Sequence, residues 1–223
     1  MEVKIDIKVE AKSLPGLVKL AGDWILISNI RERYGNISKE ELFLEIKKLH
    51  DGNRGKFLRI KDYYEGLWDE FGSDYIKEMG KIMDCDLNDN KMVYIVPSLW
   101  VNIADVIGRK NVFIVSEETQ QCALDFILLH ELTHLYYADV LEKFNLREAG
   151  ESSLMEWVAH LILFKTPIKK LFCGIRYSEV SFVKKNLGFM KELEKLWENR
   201  EDFKSFLEKA IELNKNTKGV LIC

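Results

Sequence analysis

The chain has little cysteine, little proline and no excess of positive charge, and each shortage removes a class of protein. Its four cysteines, Cys85, Cys122, Cys173 and Cys223, lie far apart with no Cys-x-x-Cys pair. That spacing argues against a zinc ribbon or a thioredoxin-type redox site. With no secretion signal, the cysteines read as reduced, buried thiols rather than a disulfide framework. Cys122 precedes His130 by eight residues and could face the same cleft, although a free Cys usually behaves as a small buried hydrophobe. The 33 basic residues are spread among 36 acids for a net charge of −3, which leaves no footprint for a nucleic acid. Long apolar runs are missing too. The most apolar stretch, Phe126 to Leu129, is interrupted at once by His130 and Glu131, so no membrane span is expected. The start, Met1 to Asp6, lacks the apolar core of a signal peptide, and the expected compartment is the cytoplasm.

What remains is an ordinary globular composition, 47% hydrophobic and 31% charged over 223 residues, without internal repeats or a low-complexity linker. Such a length can bury a substantial core. Val3 to Val9 alternates apolar and charged residues, the period of a half-buried strand. Leu14 to about Arg33 reads as a helix, with Pro15 tolerable in its first turn. A second helix starts at Ser38, where Glu41 completes a capping-box pattern, and runs to about His50. Asp51-Gly52-Asn53-Arg54-Gly55 reads as a turn, and a third helix covers about Asp62 to Met83. Met92 to Val96 and Val112 to Val115 are Val- and Ile-rich strand candidates, the first ended by Pro97. Helices follow at about Thr119 to Phe144 and Ser153 to Phe164, the latter stopping before Pro167. Two charged amphipathic helices fill Ser178 to Lys215, with a break near Asn199-Arg200. The expectation is a single α+β domain over 1–223, mostly helical, with a small sheet packed on a central active-site helix. Its parts are a helical N-terminal region (about 1–85), a catalytic core (about 90–165) and a helical C-terminal region (about 175–215).

The chemistry centres on His130-Glu131-Leu132-Thr133-His134. Four residues apart on a helix, His130 and His134 sit about 40° apart on one face, where both imidazoles can reach one ion. Zinc is held by such neutral imidazole nitrogens, and two of them supply half a tetrahedral site. Glu131 cannot reach the same point as both rings, but it can reach a water at the metal, where a general base must stand. The flanks Ile127-Leu128-Leu129 and Leu135-Tyr136 are uncharged, so the helix is expected to be largely buried. A buried helix seldom carries two His and a Glu without partners to satisfy them. The competing structural reading is a pair of core histidines hydrogen-bonded to carbonyls.

His-Glu-Leu-Thr-His on an apolar helix resembles the zincin metallopeptidases, and the same five letters occur in thermolysin-type enzymes. The metzincin branch does not fit, because Tyr137 and Val140 stand where it needs Gly and His. The segment Leu154-Met155-Glu156-Trp157-Val158-Ala159-His160 is similar to the gluzincin pattern, in which a Glu on a following helix is the third ligand. The resemblance therefore implies one Zn²⁺ per chain held by His130, His134 and Glu156, Glu131 as the catalytic base, and a peptide or protein substrate. Small predicted zinc-dependent proteases are the nearest in style. His160 departs from the polar residue, often Asp, usual at that place. Ser153-Leu154-Met155-Glu156 also matches a capping box, and Glu148, Glu151 and His160 are the alternatives for the third ligand. The resemblance covers about residues 92–165 and places strand 111–116 as an edge along which a peptide lies. Tyr177, Arg176, Tyr136 and Tyr137 are candidates for stabilising an oxyanion.

Other signals stay structural. Asp84 to Asn90 begins like a calcium loop, but Asp89 and Ile95 stand where Gly and Glu are needed, so a turn is expected. His50 suits a helix C-terminus. The Lys- and Glu-rich segment Met190 to Lys215 reads as solvated helix faces laced with i,i+4 pairs. The first 80 residues carry no motif. A non-catalytic zinc-binding regulatory or interaction protein on the same scaffold is the alternative to a hydrolase.

Overall fold

A computed structural model of the chain describes residues 39–88, 90–96, 104–106, 112–116, 124–146, 152–172 and 187–217. The strand expected at Val3 to Val9 and the helix expected at Leu14 to Arg33 lie outside these residues. Among the described residues there are five α-helices: α1 (Lys39–Ile82), α2 (Leu124–Phe144), α3 (Ser152–Lys165), α4 (Leu187–Glu198) and α5 (Phe203–Thr217). Three short strands, β1 (Met92–Val96), β2 (Ala104–Val106) and β3 (Val112–Ser116), pair in the order β1-β3-β2. The expected α+β class is corrected by these proportions. Helices of 44, 21, 14, 12 and 15 residues stand against strands of 5, 3 and 5, so the protein is mostly helical and is not built around a sheet. Strand-forming residues are too few, and their runs too short, to set the class.

Strand pairing overturns a second expectation. β3 runs parallel to β1 and antiparallel to β2, so both of its edges are used. Val112 to Ser116 is therefore not an open edge for a peptide, because it is paired with β1 on one side and, over Phe113 to Val115, with β2 on the other.

A third correction concerns α1. The turn expected at Asp51 to Gly55 is helical, and one helix replaces the two anticipated. Its buried residues Phe57, Ile60, Tyr64, Trp68, Phe71, Tyr75, Met79 and Ile82 follow spacings of three and four, one continuous helical stripe. Two glycines in a helix interior cost about 1 kcal/mol each, whereas each large apolar side chain buried returns about 1.5–3 kcal/mol. The side chain of Asn53 donates to the Leu49 carbonyl at 2.9 Å, so a residue with turn preference serves the helix.

The chain groups into two compact units bounded as Met1–Gly72 with Asp89–Glu131, and Ser73–Asn88 with Leu132–Cys223. In the first, the stripe from Phe57 to Phe71 is buried, as are Val93 and Ile95 of β1 and Leu124, Ile127, Leu128 and Leu129 of α2. The second has an aromatic centre in which Trp197 meets Phe203 and Phe206 edge-on, at ring separations of 6.3 and 5.0 Å. Trp157 of α3 lies 5.2 Å from Phe189 of α4. Helices α4 and α5 end and begin at 198 and 203, which agrees with the break expected near Asn199-Arg200.

Helix ends within the second unit are made locally. Asp84 (φ 50°) takes the left-handed conformation after α1, and Cys85 N donates to the Gly80 carbonyl at 3.0 Å. Asn145 (φ 57°) does the same after α2, where Leu146 N reaches the Leu141 carbonyl at 2.9 Å. Both are Schellman stops. The Asp84 carboxylate also accepts from Phe203 N at 2.8 Å, which caps α5. This is a specific use for the first residue of the calcium-like segment. α3 stops where Thr166 Oγ1 donates to the Ile162 carbonyl and accepts from Ile168 N, followed by Pro167 and a short 3₁₀ helix (Pro167–Leu171). Among the described residues no helix is long and apolar enough to cross a membrane.

Two glycine substitutions on α1 are expected to move stability in opposite directions. A Cβ at Gly66 meets open space, so Gly66→Ala should raise stability by about 0.5–1 kcal/mol. A Cβ at Gly72 falls within the indole of buried Trp68, so Gly72→Ala should lower it by about 1–3 kcal/mol. Thermal melts of both variants check the pair, and a rise for Gly72→Ala would contradict the packing described.

Candidate metal centre

Every residue of helix α2 from Glu131 to Tyr137 is buried, on all sides of the helix, which is why its polar residues matter. Leu132, Leu135 and Tyr136 are fully buried, and among them stand Glu131 (8% exposed), Thr133 (0%) and His134 (3%). Polar groups in such surroundings need hydrogen-bond or ionic partners.

His134 finds one on the next helix. Its Nε2 lies 3.0 Å from Oε1 of Glu156, whose side chain is 37% exposed. His130 stands one turn before His134 on the same helix, its ring 5.5 Å from that of Phe126. His130, His134 and Glu156 each offer one ligand atom, and these atoms all lie within 4.8 Å of one another. Two imidazoles and a carboxylate are a zinc donor set. A four-coordinate ion with bonds near 2.0–2.1 Å asks for donors roughly 3.3 Å apart, a small adjustment from this arrangement. The residues present fit the ion.

Glu156 lies inside α3, which begins at Ser152. Ser153 is thus within the helix rather than at its N-cap, and the capping-box reading of Ser153 and Glu156 gives way to the contact with His134. Of the alternative ligands, Glu148 and Glu151 lie outside the described residues. His160 is not in the cluster. Its Nδ1 lies 2.7 Å from the Glu156 carbonyl, and since a carbonyl only accepts, Nδ1 carries the proton. His160 is buried and stacks near Phe164, so it supports the helix one turn beyond Glu156.

The oxyanion candidates divide. Arg176 and Tyr177 lie outside the described residues, as does Cys122. Tyr136 and Tyr137 are both buried, packed 6.1 Å from Tyr75 and 6.3 Å from Phe203 respectively. Burial pushes the Tyr137 phenol well above its ordinary value, so it stays protonated. Packing is the role these two positions display.

Two tyrosines of α1 bear on the motif, and sequence reasoning assigned neither a role. Tyr75 is fully buried, and its hydroxyl lies 2.9 Å from Thr133 Oγ1 in the middle of the pentapeptide. Burial raises its pKa, partly offset by that hydrogen bond. Tyr64 is buried on the same stripe. Burial first, then the Glu131 carboxylate, hold its phenol well above the usual value. The signal in sequence was a Tyr on an apolar stripe, whose hydroxyl must find a partner when buried.

No protein-family model, curated protein or solved structure matches this chain.

Tyr75→Phe keeps the ring and removes the bond to Thr133. Stability should fall by about 1 kcal/mol, or a Tm drop of about 2–4 °C for a chain of this size. An unchanged melting temperature would mean that this hydrogen bond does not help hold the motif.

Proposed function

We propose that the chain is a zinc-dependent hydrolase of the gluzincin type acting on peptides or proteins, with His130, His134 and Glu156 as ligands and Glu131 as general base. The observation that carries this reading is the convergence of the three donor atoms within 4.8 Å, from residues on two consecutive helices. A core histidine would be satisfied by the one acceptor that Glu156 offers His134, whereas the cluster also takes in a second imidazole, that of His130.

Bound zinc would supply a Lewis acid that polarises a carbonyl and lowers the pKa of a water in its open position. The protein's own groups do the rest. His130 and His134 present their nitrogens from one helix face, and the helix ladder holds their spacing. Glu156 brings negative charge to the cluster and, being partly exposed, stands where it meets solvent. Glu131, roughly 60° around the helix from His134 and 100° from His130, lies on the neighbouring flank. From there its carboxylate takes the proton of the attacking water and delivers it to the departing amine. The peptide substrate class rests on the resemblance of the pentapeptide and the downstream Glu to the zincin metallopeptidases.

The first experiment is the zinc content of the purified chain, expected at about one ion per chain. Glu156→Ala should lower occupancy at limiting zinc, whereas Glu131→Gln should keep it. Hydrolysis of a quenched peptide library by Glu131→Gln should fall at least about 10²-fold. A chain that binds no zinc even after zinc is added would overturn the proposal. One that binds zinc but cleaves nothing at any pH would point instead to a zinc-stabilised interaction protein.

A further inference from the structure

Thr133 and His134 are consecutive residues of α2, and a helix turns about 100° from one residue to the next. Their side chains therefore meet different neighbours. Thr133 Oγ1 lies 2.9 Å from the Tyr75 hydroxyl of α1, across 58 positions of chain, and both residues are fully buried. His134 Nε2 lies 3.0 Å from Glu156 Oε1 of α3. At one level of α2, then, two polar contacts reach out to two different helices. The residues around them, Leu132, Leu135 and Tyr136, are buried too. Apolar packing is non-directional, whereas a hydrogen bond fixes a distance and an angle. Side-chain tips stand about 5–6 Å from a helix axis, so a turn of about 10° carries an imidazole about 1 Å. Zinc bond lengths hold to within about 0.2 Å, which makes the rotation of α2 about its axis a quantity the site must control.

We propose that Tyr75 is a positioning residue for the zinc ligands: by bonding Thr133 it fixes the rotation of α2 that sets the imidazoles of His130 and His134 against Glu156. The inference rests on the zinc reading of that cluster. Around the helix axis His130 and His134 point about 40° apart. Thr133 lies about 60° beyond His130 on one side, and Glu131 about 60° beyond His134 on the other. Tyr75 thus holds the flank of the ligand face opposite to Glu131, and any rotation that shifts the ligands shifts the base with them. The phenol's partner is the Thr133 hydroxyl, so it acts on the ligands only through the helix. A Phe would fill the ring's place in the core and leave the rotation to apolar contacts and the His134–Glu156 pair. Zinc would then select one rotation among several, and its apparent affinity falls by the fraction of chains already in that one.

The test is the zinc affinity of the full chain, read by competition with a chromophoric chelator well below every Tm. Wild type is compared with Tyr75→Phe, Thr133→Val and the two together. Each single variant should weaken zinc binding about tenfold, and the double variant no more than either alone. Thr133→Ser keeps a hydroxyl and should bind zinc as the wild type does. Asp84→Ala is the control for stability alone: it removes the cap on α5 and lowers Tm, but should leave zinc affinity at the wild-type value. Wild-type affinity in Tyr75→Phe would overturn the inference, as would an equal weakening in Asp84→Ala. If Thr133→Val does not fold, the contrast between Tyr75→Phe and Asp84→Ala decides the matter by itself. A wild type that binds no zinc would sink the hydrolase reading, and amide exchange of the metal-free chain then tests the anchoring of α2. Tyr75→Phe should speed exchange at Leu132 to Tyr137 more than Asp84→Ala does. Equal exchange in the two would overturn the anchoring as well.

Discussion

The structure turns on the cost of placing polar groups in a stretch of helix that has no solvent-facing side. Between Glu131 and Tyr137, α2 is enclosed, yet it carries Glu131, Thr133 and His134. An enclosed polar group costs several kcal/mol unless matched, so each one dictates something about its neighbours. His134 is met by Glu156 of α3 at 3.0 Å, and Thr133 by Tyr75 of α1 at 2.9 Å. Apolar packing brings helices together without choosing a register. These polar contacts are directional and do choose one.

The same economy governs the helix ends. Asp84 breaks α1 through its left-handed backbone and caps α5 through its side chain, so one residue ends one helix and starts another 119 positions on. The Arg200 guanidinium lies 3.8 Å over the Trp197 ring and donates to that residue's carbonyl at 2.6 Å, after the last turn of α4. Burial lowers its pKa while the Asp84 carboxylate works in the opposite direction. The charge of Asp84 thus serves a helix terminus and an arginine.

For the proposed chemistry, the arrangement separates two tasks. The donor cluster includes partly exposed Glu156, whereas Glu131 is buried. A base that must move a proton gains from a fixed orientation. The long helix α1, which carries no recognisable motif, supplies Tyr75, whose hydroxyl meets Thr133 in the middle of the pentapeptide. It is continuous through Asp51-Gly52-Asn53-Arg54-Gly55 because its buried stripe outweighs the local preference for a turn.

Much of the site was legible in the chain. The i,i+4 spacing of His130 and His134 is a property of any helix, and the uncharged flanks foretold its burial. Glu156 was readable only through resemblance, since nothing local separates a ligand from a capping residue. Tertiary packing sets its carboxylate against His134 and places it inside α3. The strands at 92–96 and 112–116 were legible from β-branched composition, but their pairing was not. Register and edge exposure depend on which segments meet, and β2 closes the side of β3 that had looked open to a peptide. The mostly helical class was likewise a matter of proportion. Local patterns determine which segments are helical and which residues can bind a metal together. Only the folded chain decides which distant hydroxyl or carboxylate stands beside them, because hydrogen bonds and ion pairs act over a few ångströms and sequence carries no such distance.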